Sequence, residues 1–256
     1  MIAIIGFGFV GQAVYSSLKN NYNCMIVDPK RGTTTKDEDF QKHMLRANAF
    51  EVLNGDAIDT IFICVPTPTA KDGSCDVKAF NSVYQDLKEF QGLVIIKSTI
   101  PKHLIPIEKN WVYNPEFLNA NTATEDFNEQ EYIVLGGEMD FTKKAQNFYE
   151  VNTTIDTKDV FFEHCSKDEA SDFKYIRNIY QAYKVMFWEM VQDTTGNARK
   201  MSMMLESIPM GENTQVGMDG FRGFGGACLP KDVSAFNAVH KHKLTEFLLD
   251  YNEELS

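Results

Sequence analysis

The chain has 256 residues, a formal net charge of −11 and a pI of about 4.9, which argues against binding to nucleic acids or anionic membrane surfaces. Hydrophobic residues make up 43% of it and charged residues 24%, as in ordinary globular proteins, and no apolar run approaches the length of a membrane span. Its five cysteines are scattered, odd in number and without metal-type spacing. We therefore expect reduced thiols, no metal site and a cytoplasmic protein without a signal peptide.

The first residues of the chain carry the pattern of a dinucleotide-binding turn. Residues 2–5 are apolar and predict a buried strand, and the segment from residue 9 to about Lys19 predicts a helix. Between them, Gly6, Gly8 and Gly11 form the pattern G-x-G-x-x-G. In that pattern the first glycine makes a tight turn, the second lets a pyrophosphate approach, and the third lets the helix pack on the strand. Strand, turn and helix together predict nucleotide binding, whereas the glycines alone would fit a plain turn.

An acidic residue after the second apolar run bears on the choice of cofactor. The run 24–27 ends at Asp28, where a carboxylate normally accepts hydrogen bonds from the ribose hydroxyls of adenosine. This placement favours NAD over NADP. Lys30 and Arg31 leave NADP open, because basic residues there can meet a 2′-phosphate.

Strand and helix patterns alternate through the first part of the chain. Strands are predicted at residues 1–5, 24–28, 59–65, 93–97, 110–113 and 131–135, and helices at residues 9–19, 37–53, 77–90 and 141–150. This alternation is typical of an α/β fold with a Rossmann-like, doubly wound parallel sheet. We therefore expect an NAD-binding domain over residues 1–165.

The rest of the chain, residues 166–256, is predicted to be a helical domain. An apolar stripe without proline predicts one long helix over residues 167–206, or two helices joined near Gly196. A glycine-rich loop is predicted over residues 207–229, followed by a helix or a helix pair over residues 231–255.

The stretch 223–232 places a cysteine beside groups that would activate it. Cys228 follows several glycines and precedes Pro230, a residue favoured at the start of a helix. The free N–H groups and the dipole of a helix N-terminus favour the thiolate form of a cysteine. Lys231 and Asp232 add a cation and a carboxylate. The stretch therefore predicts a nucleophile site rather than a buried structural cysteine.

Six motifs in chain order are similar to those of the nucleotide-sugar dehydrogenase family, which includes the UDP-glucose and GDP-mannose 6-dehydrogenases. They are Gly6–Gly11 (GFGFVG), Cys64–Pro68 (CVPTP) with Gly73 and Asp76, Lys97–Pro101 (KSTIP), Asn114–Leu118 (NPEFL), Lys174–Asn178 (KYIRN) and the stretch 223–232. No single motif is decisive, but the ordered set spans nearly the whole chain and is specific.

The resemblance implies an enzyme that uses NAD to oxidise the C6 alcohol of a nucleotide sugar to a carboxylate, with UDP-glucose to UDP-glucuronate favoured. This four-electron oxidation passes through an aldehyde, which Cys228 would capture as a thiohemiacetal and then carry as a thioester. Lys174 and Asn178, four residues apart on one helix face, match the family's pair that stabilises the developing oxyanion.

The same resemblance implies the remaining site residues. Asp232 and Thr99 match residues that hold water and shuttle protons, and Glu116 matches a carboxylate of thioester hydrolysis or general-base catalysis. The implied cofactor contacts are Gly6, Gly8, Phe9, Val10, Gly11, Asp28, Val65, Pro66, Thr67, Ser98 and Thr99. The implied substrate contacts are Phe117, Leu118, Lys174, Asn178, Phe224, Gly225, Cys228 and Lys231. The family also implies a homodimer built through the long helix.

The chain departs from the family pattern at three places. Asn119 and Ala120 stand where the family usually has Arg-Glu, so a second carboxylate is missing. The segment 208–211 lacks the arginine that reaches the partner subunit's substrate, although Arg222 is near in sequence. The chain ends at Ser256, and we expect it to be a short form without the family's C-terminal domain that covers the nucleotide.

The sequence leaves two other functions open, and it also leaves open that a separate chain supplies the missing domain. A catalytically weak remnant would bind NAD and act through its dimer or a partner protein. A two-electron dehydrogenase of a small hydroxy acid would use Lys174 and Asn178, with Cys228 as a bystander. Each alternative differs from the favoured function in the amount of NADH formed per substrate.

Overall fold

The computed structural model describes residues 1–19, 24–28, 44–45, 58–207, 223–224 and 229–255. The chain divides into two compact units, Met1–Ile176 and Arg177–Ser256. The functional division that the sequence predicts, between residues 165 and 166, stays a prediction. In the part of the chain that is described, no helix combines the length and the apolar character needed to cross a membrane.

The first unit contains, among its described residues, a mixed sheet of eight strands. The strands are β1 (Ile2–Ile5), β2 (Cys24–Val27), β3 (Met44–Leu45), β4 (Thr60–Ile63), β5 (Leu93–Ile96), β6 (Trp111–Tyr113), β7 (Tyr132–Gly136) and β8 (Phe161–Cys165). Their spatial order is β3-β2-β1-β4-β5-β6-β7-β8, and the first six follow the order of the Rossmann fold. The winding direction changes between β1 and β4, and ligands of such sheets bind at that switch point, beyond the carboxyl ends of the strands.

Helices connect the strands and form the second unit. They are α1 (Phe9–Ser17), α2 (Lys78–Leu87), α3 (Ala123–Asn128), α4 (Met139–Asn152), α5 (Lys167–Thr195), α6 (Ala198–Glu206), α7 (Leu229–His240) and α8 (Lys243–Leu255). A 3₁₀ turn covers Lys102–Leu104. Helix α5 begins in the first unit and ends in the second. The structure confirms the predicted α/β fold.

Apolar side chains on both faces of the central strands explain the layered core. Alternate residues of a strand point to opposite faces of the sheet. In β1, Ile2 and Ile4 pack in one cluster with α1, α3 and α4, whereas Ala3 and Ile5 pack in a second cluster with α2. Because helices cover both faces, the carboxyl edge of the parallel strands is the side left for a ligand.

Three features of the sheet correct the sequence prediction. Met44–Leu45 is a strand within the segment 37–53 that was predicted as a helix, because its backbone pairs in parallel with β2. The rest of that segment lies outside the described residues. β7 pairs antiparallel with β6, where a parallel sheet was predicted. β8 was not predicted, because Glu163 and His164 interrupt its apolar pattern and the strand is only partly buried.

The second unit is helical, as the sequence predicts. α5 ends at Thr195, and Gly196, with a φ of +69°, follows it before α6 begins. A left-handed residue after a helix is usually glycine, because glycine has no Cβ. The predicted junction near Gly196 and the predicted helix pair over residues 231–255 are therefore confirmed. The predicted loop over residues 207–229 lies mostly outside the described residues.

Candidate active site

The three glycines after β1 have three different surroundings. Gly6 has a φ of +87°, and a Cβ there would lie 2.6 Å from the carbonyl oxygen of Cys64. A Cβ on Gly11 would collide with the carbonyl oxygen of Gly6. Among the described residues, apart from Gly8 and its two chain neighbours, no atom lies within 4 Å of the point where a Cβ of Gly8 would stand. The turn and the packing of α1 therefore require Gly6 and Gly11, whereas Gly8 leaves room for a ligand.

Asp28 lies directly after β2, beside the glycine turn. Its Oδ2 accepts a hydrogen bond of 2.7 Å from the backbone N–H of Phe7. The carboxylate thus holds the turn, a task that comes in addition to the ribose contact that the sequence predicts. Gly8 is the N-cap of α1, and the N–H groups and dipole of a helix N-terminus favour an anion such as a pyrophosphate.

A cavity of about 850 Å³ opens at this edge of the sheet, within the range of roughly 300 to 1,000 Å³ common for ligand sites. All but one of the predicted cofactor contacts line it: Gly6, Gly8, Phe9, Val10, Asp28, Val65, Pro66, Thr67, Ser98 and Thr99. The remaining one, Gly11, packs against the turn itself. The open backbone at Gly8 and the free start of α1 fit the pyrophosphate of NAD, so the residues present suit that cofactor.

Two hydrogen bonds fix the loops that follow β4 and β5. Ser98 Oγ donates to the carbonyl of Val65 at 2.7 Å, and Thr67 Oγ1 donates to the carbonyl of Thr99 at 2.7 Å. The two loops therefore brace each other where they line the cavity. The water-holding role of Thr99 stays a prediction.

A buried ion pair lies at the same cavity. Lys174 Nζ stands 3.1 Å from Glu116 Oε1 and also donates to the backbone carbonyl of Glu116. The Lys174 side chain is 6% exposed and the Glu116 side chain 12% exposed. Glu116 lines the dinucleotide cavity. In such low-dielectric surroundings, charges act on each other and on nearby groups more strongly than they do in water.

The two residues after Glu116 hold this ion pair in place. The ring centroid of Phe117 lies 5.3 Å from Lys174 Nζ, within the range of a cation–π contact. The backbone N–H of Leu118 donates to Glu116 Oε2 at 2.8 Å. Both carboxylate oxygens of Glu116 are therefore engaged, which fixes the orientation of the group.

A second buried lysine lies in this region, one to which the sequence motifs assign no role. Lys97 directly follows β5, is 2% exposed and lines the dinucleotide cavity. Its Nζ donates to Asn114 Oδ1 at 3.0 Å. Burial lowers the pKa of Lys97 to about 8, although attraction to Glu116 acts in the opposite direction. The sequence signal that could have found it is a lysine directly after a wholly apolar strand. Lysine is almost never fully buried unless it is paired, so a lysine at the end of a buried strand indicates a partner.

The other predicted site residues belong to the second unit or lie outside the described residues. Asn178 lies in α5, and Lys231 and Asp232 lie in the first turn of α7, where their charged groups pair at 3.0 Å. The backbone N–H of Phe224 donates to Asn252 Oδ1 at 2.5 Å. Two predicted residues are outside the described part of the chain: Gly225 and Cys228.

Comparison with known protein families decides the classification. The sequence profile of the "UDP-glucose/GDP-mannose dehydrogenase family, NAD binding domain" matches residues 19–155, more than half of the chain. The chain belongs to the UDP-glucose/GDP-mannose dehydrogenase family. The resemblance seen in the sequence is thereby confirmed, and with it the assignment of NAD as the cofactor of this domain.

Relatives of this family member align along nearly all of its length. The Bacillus subtilis protein YtcA, provisionally named a UDP-glucose 6-dehydrogenase, is 30% identical over 97% of this chain and 65% of its own length. The UDP-glucose 6-dehydrogenase of Rickettsia prowazekii is 26% identical over 95% of this chain and 63% of its own length. This family member therefore spans slightly less than two thirds of the length of these relatives.

Solved structures agree on the fold of this family member. A ternary complex of GDP-mannose dehydrogenase from Pseudomonas aeruginosa superimposes with a TM-score of 0.78 at 18% identity, over 99% of this chain and 68% of that one. A UDP-glucose dehydrogenase from Pyrobaculum islandicum gives a TM-score of 0.61 at 22% identity, with the same coverage of both chains.

Proposed function

We propose that this protein uses NAD to oxidise the C6 alcohol of a nucleotide sugar to a carboxylate, with UDP-glucose as substrate and UDP-glucuronate as product. The family supplies the reaction class, and the relatives named as UDP-glucose 6-dehydrogenases favour this substrate. The chain would remove four electrons in two oxidations, for which it would use two molecules of NAD.

The observation that carries the proposal is the Lys174–Glu116 ion pair at the edge of the dinucleotide cavity. A dehydrogenase must remove a proton from an alcohol next to the cofactor, and a buried carboxylate such as Glu116 suits general-base work of that kind. The Lys174 ammonium, on a side chain that is only 6% exposed, is placed to stabilise an oxyanion, since a preorganised cation acts strongly in a dry site.

The proposed reaction consists of two oxidations, which are linked by a covalent intermediate on Cys228. Bound NAD would supply the acceptor for the hydride that leaves C6 in each oxidation. In the first oxidation a base takes the hydroxyl proton and the alcohol becomes an aldehyde. The Cys228 thiolate then adds to the aldehyde carbon, forming a C–S bond, and the aldehyde oxygen takes up a proton to give a thiohemiacetal. Loss of that proton and a second hydride leaves a thioester, which water cleaves to the carboxylate and the free thiol.

The homodimer is part of the same proposal. Apolar side chains on α5 in the second unit are exposed by about half: Ile179, Tyr180, Tyr183, Met186 and Phe187. A patch of that kind favours burial against a partner, and a second copy of this chain is the partner that the family implies. Light scattering that gives the mass of a single chain at micromolar concentration would contradict this part of the proposal.

The test is the amount of NADH formed per UDP-glucose consumed, with NAD in excess. We expect a ratio of two, and we expect Cys228→Ser to form NADH at a strongly reduced rate without releasing UDP-glucuronate. A ratio of one would favour a simple two-electron dehydrogenase. Binding of NADH without oxidation of UDP-glucose or GDP-mannose would favour the weakly active NAD-binding protein. A matched assay with GDP-mannose decides between the two nucleotide sugars.

A further inference from the structure

Lys97 is a buried cation for which the proposed function so far has no use. Its ammonium is enclosed at the carboxyl end of β5, with 2% of the residue exposed, and it lines the dinucleotide cavity. Burying a charge is costly unless the charge is paired and hydrogen-bonded. The groups that offset the cost of burying the Lys97 charge therefore indicate its role.

Lys97 hydrogen-bonds to Asn114, and its Nζ also lies 5.3 Å from the centroid of the Phe127 ring. Asn114 is itself held from several sides. Asn114 Oδ1 accepts hydrogen bonds from Lys97 Nζ at 3.0 Å and from Tyr149 OH at 2.5 Å. Its Nδ2 donates to the carbonyl of Val134 at 2.7 Å. Asn114 is itself buried, 1% exposed, and only Pro115 separates it from Glu116 in the chain. The position of Asn114 therefore limits where Glu116 can stand.

The charges around Lys97 also point to Glu116. Attraction to Glu116 raises the pKa of Lys97, and repulsion from Lys174 lowers it, while burial is the largest cause of its low value. Two more titratable groups face this region, Cys64 and Tyr149, and burial raises the pKa of both, so they are uncharged near neutral pH. Glu116 thus pairs directly with Lys174 and attracts Lys97 electrostatically. We call Lys97, Glu116 and Lys174 the buried charge cluster.

We propose that Lys97 is a positioning residue for the reaction proposed above: it fixes Asn114 and, together with Lys174, holds the Glu116 carboxylate in place beside the cofactor cavity. This inference rests on the proposed function for its catalytic meaning. The electrostatic coupling within the cluster requires no substrate, so it can be tested on the protein alone.

The first experiment uses the full chain without substrate. Lysine side-chain NMR titration, with the Lys97 signal identified by its loss in Lys97→Met, should give a pKa far below that of the exposed lysines. Glu116→Gln should lower this pKa by roughly one pH unit, and Lys174→Met should raise it by a similar amount. A Lys97 pKa that neither substitution moves would overturn the proposal. Because no turnover is needed, this result stands whether or not the protein oxidises UDP-glucose.

The second experiment separates positioning from general support of the fold. Lys97→Met should lower kcat by about 100-fold and change the alkaline limb of the pH profile, with KM for NAD little altered. The control is Tyr149→Phe, which removes a hydrogen bond to the same Asn114 Oδ1 without removing a charge. It should lower kcat less and keep the pH profile, and Lys97→Arg should restore part of the activity. Equal effects of Lys97→Met and Tyr149→Phe, with unchanged pH profiles, would show a merely structural role and overturn the proposal.

Discussion

The dinucleotide cavity and the buried charge cluster meet in the first unit at Lys97 and Glu116, which line the cavity, but the two regions are built in different ways. The cavity depends on backbone: the left-handed turn at Gly6, the open space at Gly8 and the start of α1. The cluster depends on long side chains, which must be buried together to be tolerated. A backbone site keeps its shape when a neighbouring charge is removed, whereas each member of the cluster depends on the others. Substitutions in one region should therefore affect binding, and those in the other should affect turnover.

The largest expected effect comes from Lys174→Met. Loss of its ammonium removes the proposed oxyanion stabiliser, so kcat for nucleotide-sugar oxidation should fall by roughly 100- to 1,000-fold. NADH affinity, measured by fluorescence titration, should change by less than about threefold, because the cavity is shaped by backbone. The matched control is Lys102→Met. Lys102 lies in the 3₁₀ turn and pairs at 2.8 Å with Asp172 of α5, the helix that also carries Lys174. Because both side chains of this pair are about half exposed, kcat and NADH affinity should change little. A large loss of NADH affinity in Lys174→Met would break the distinction between the two regions.

The glycine turn allows a comparison of two alanine substitutions. Gly6→Ala places a Cβ against the carbonyl of Cys64 at a positive φ, and should cost about 3 kcal/mol in the free energy of unfolding. Gly8→Ala places a Cβ where the described part of the chain leaves open space, so it should leave stability unchanged, while NADH affinity falls because the Cβ fills the space meant for the ligand. Urea denaturation and NADH titration measure the two effects. Equal stability losses in both variants would contradict the different roles given to these glycines.

Stability should depend on pH through Lys97. Its pKa is about 8 in the folded chain and about 10.4 when unfolded, so between these values the unfolded state binds more protons. The free energy of unfolding therefore rises with pH across this window. Lys97→Met lacks this contribution, and wild type should gain about 3 kcal/mol relative to the variant between pH 7.5 and 10.5. Lys167, whose pKa burial also lowers, is present in both proteins and cancels in the difference. If the difference in the free energy of unfolding between wild type and Lys97→Met did not change with pH, Lys97 would not be buried as a charged group.

The smallest expected effect is that of Asp28→Asn. An amide oxygen accepts the hydrogen bond from Phe7 more weakly than a carboxylate does, so NADH affinity should fall about tenfold, or roughly 1.4 kcal/mol. Affinity for NADPH should fall less or rise, because the negative charge facing a 2′-phosphate is gone. Titration with both reduced cofactors gives the ratio of NADH affinity to NADPH affinity. If the substitution left this ratio unchanged, Asp28 would only support the turn.

The residues that the sequence predicts for the cofactor line one cavity, and those around the glycine turn could be named because their information is local. Strand β1, the three glycines and Asp28 occupy a short segment, and each glycine has a geometric reason that the pattern states. Ser98 and Thr99 could be placed at the same cavity only through the family resemblance. Lys97 was missed although it begins the same motif, since nothing in its neighbours along the chain shows that it is buried with Asn114 and Glu116.

The corrections to the sheet have a similar cause. The strand Met44–Leu45 exists through pairing with β2, which is distant in sequence, so its local pattern suggested a helix. The direction of β7 is set by the path of the chain around it, and no residue pattern encodes it. β8 is an edge strand with Glu163 and His164 among its five residues, which conceals its apolar character. Tertiary context decides such short elements more than propensity does.

The contact between Gly6 and Cys64 also sets an order of events during synthesis. β1 pairs with β4, and the turn after β1 closes against the backbone that follows β4. Ribosomes add roughly 5 to 20 residues per second, so about 3 to 12 s pass between the synthesis of Gly6 and that of Cys64. During this interval β1 cannot pair with β4, and its apolar residues stay available to chaperones. The nascent chain therefore becomes able to hold its cofactor only after β4 has been made, although the glycine motif is translated long before.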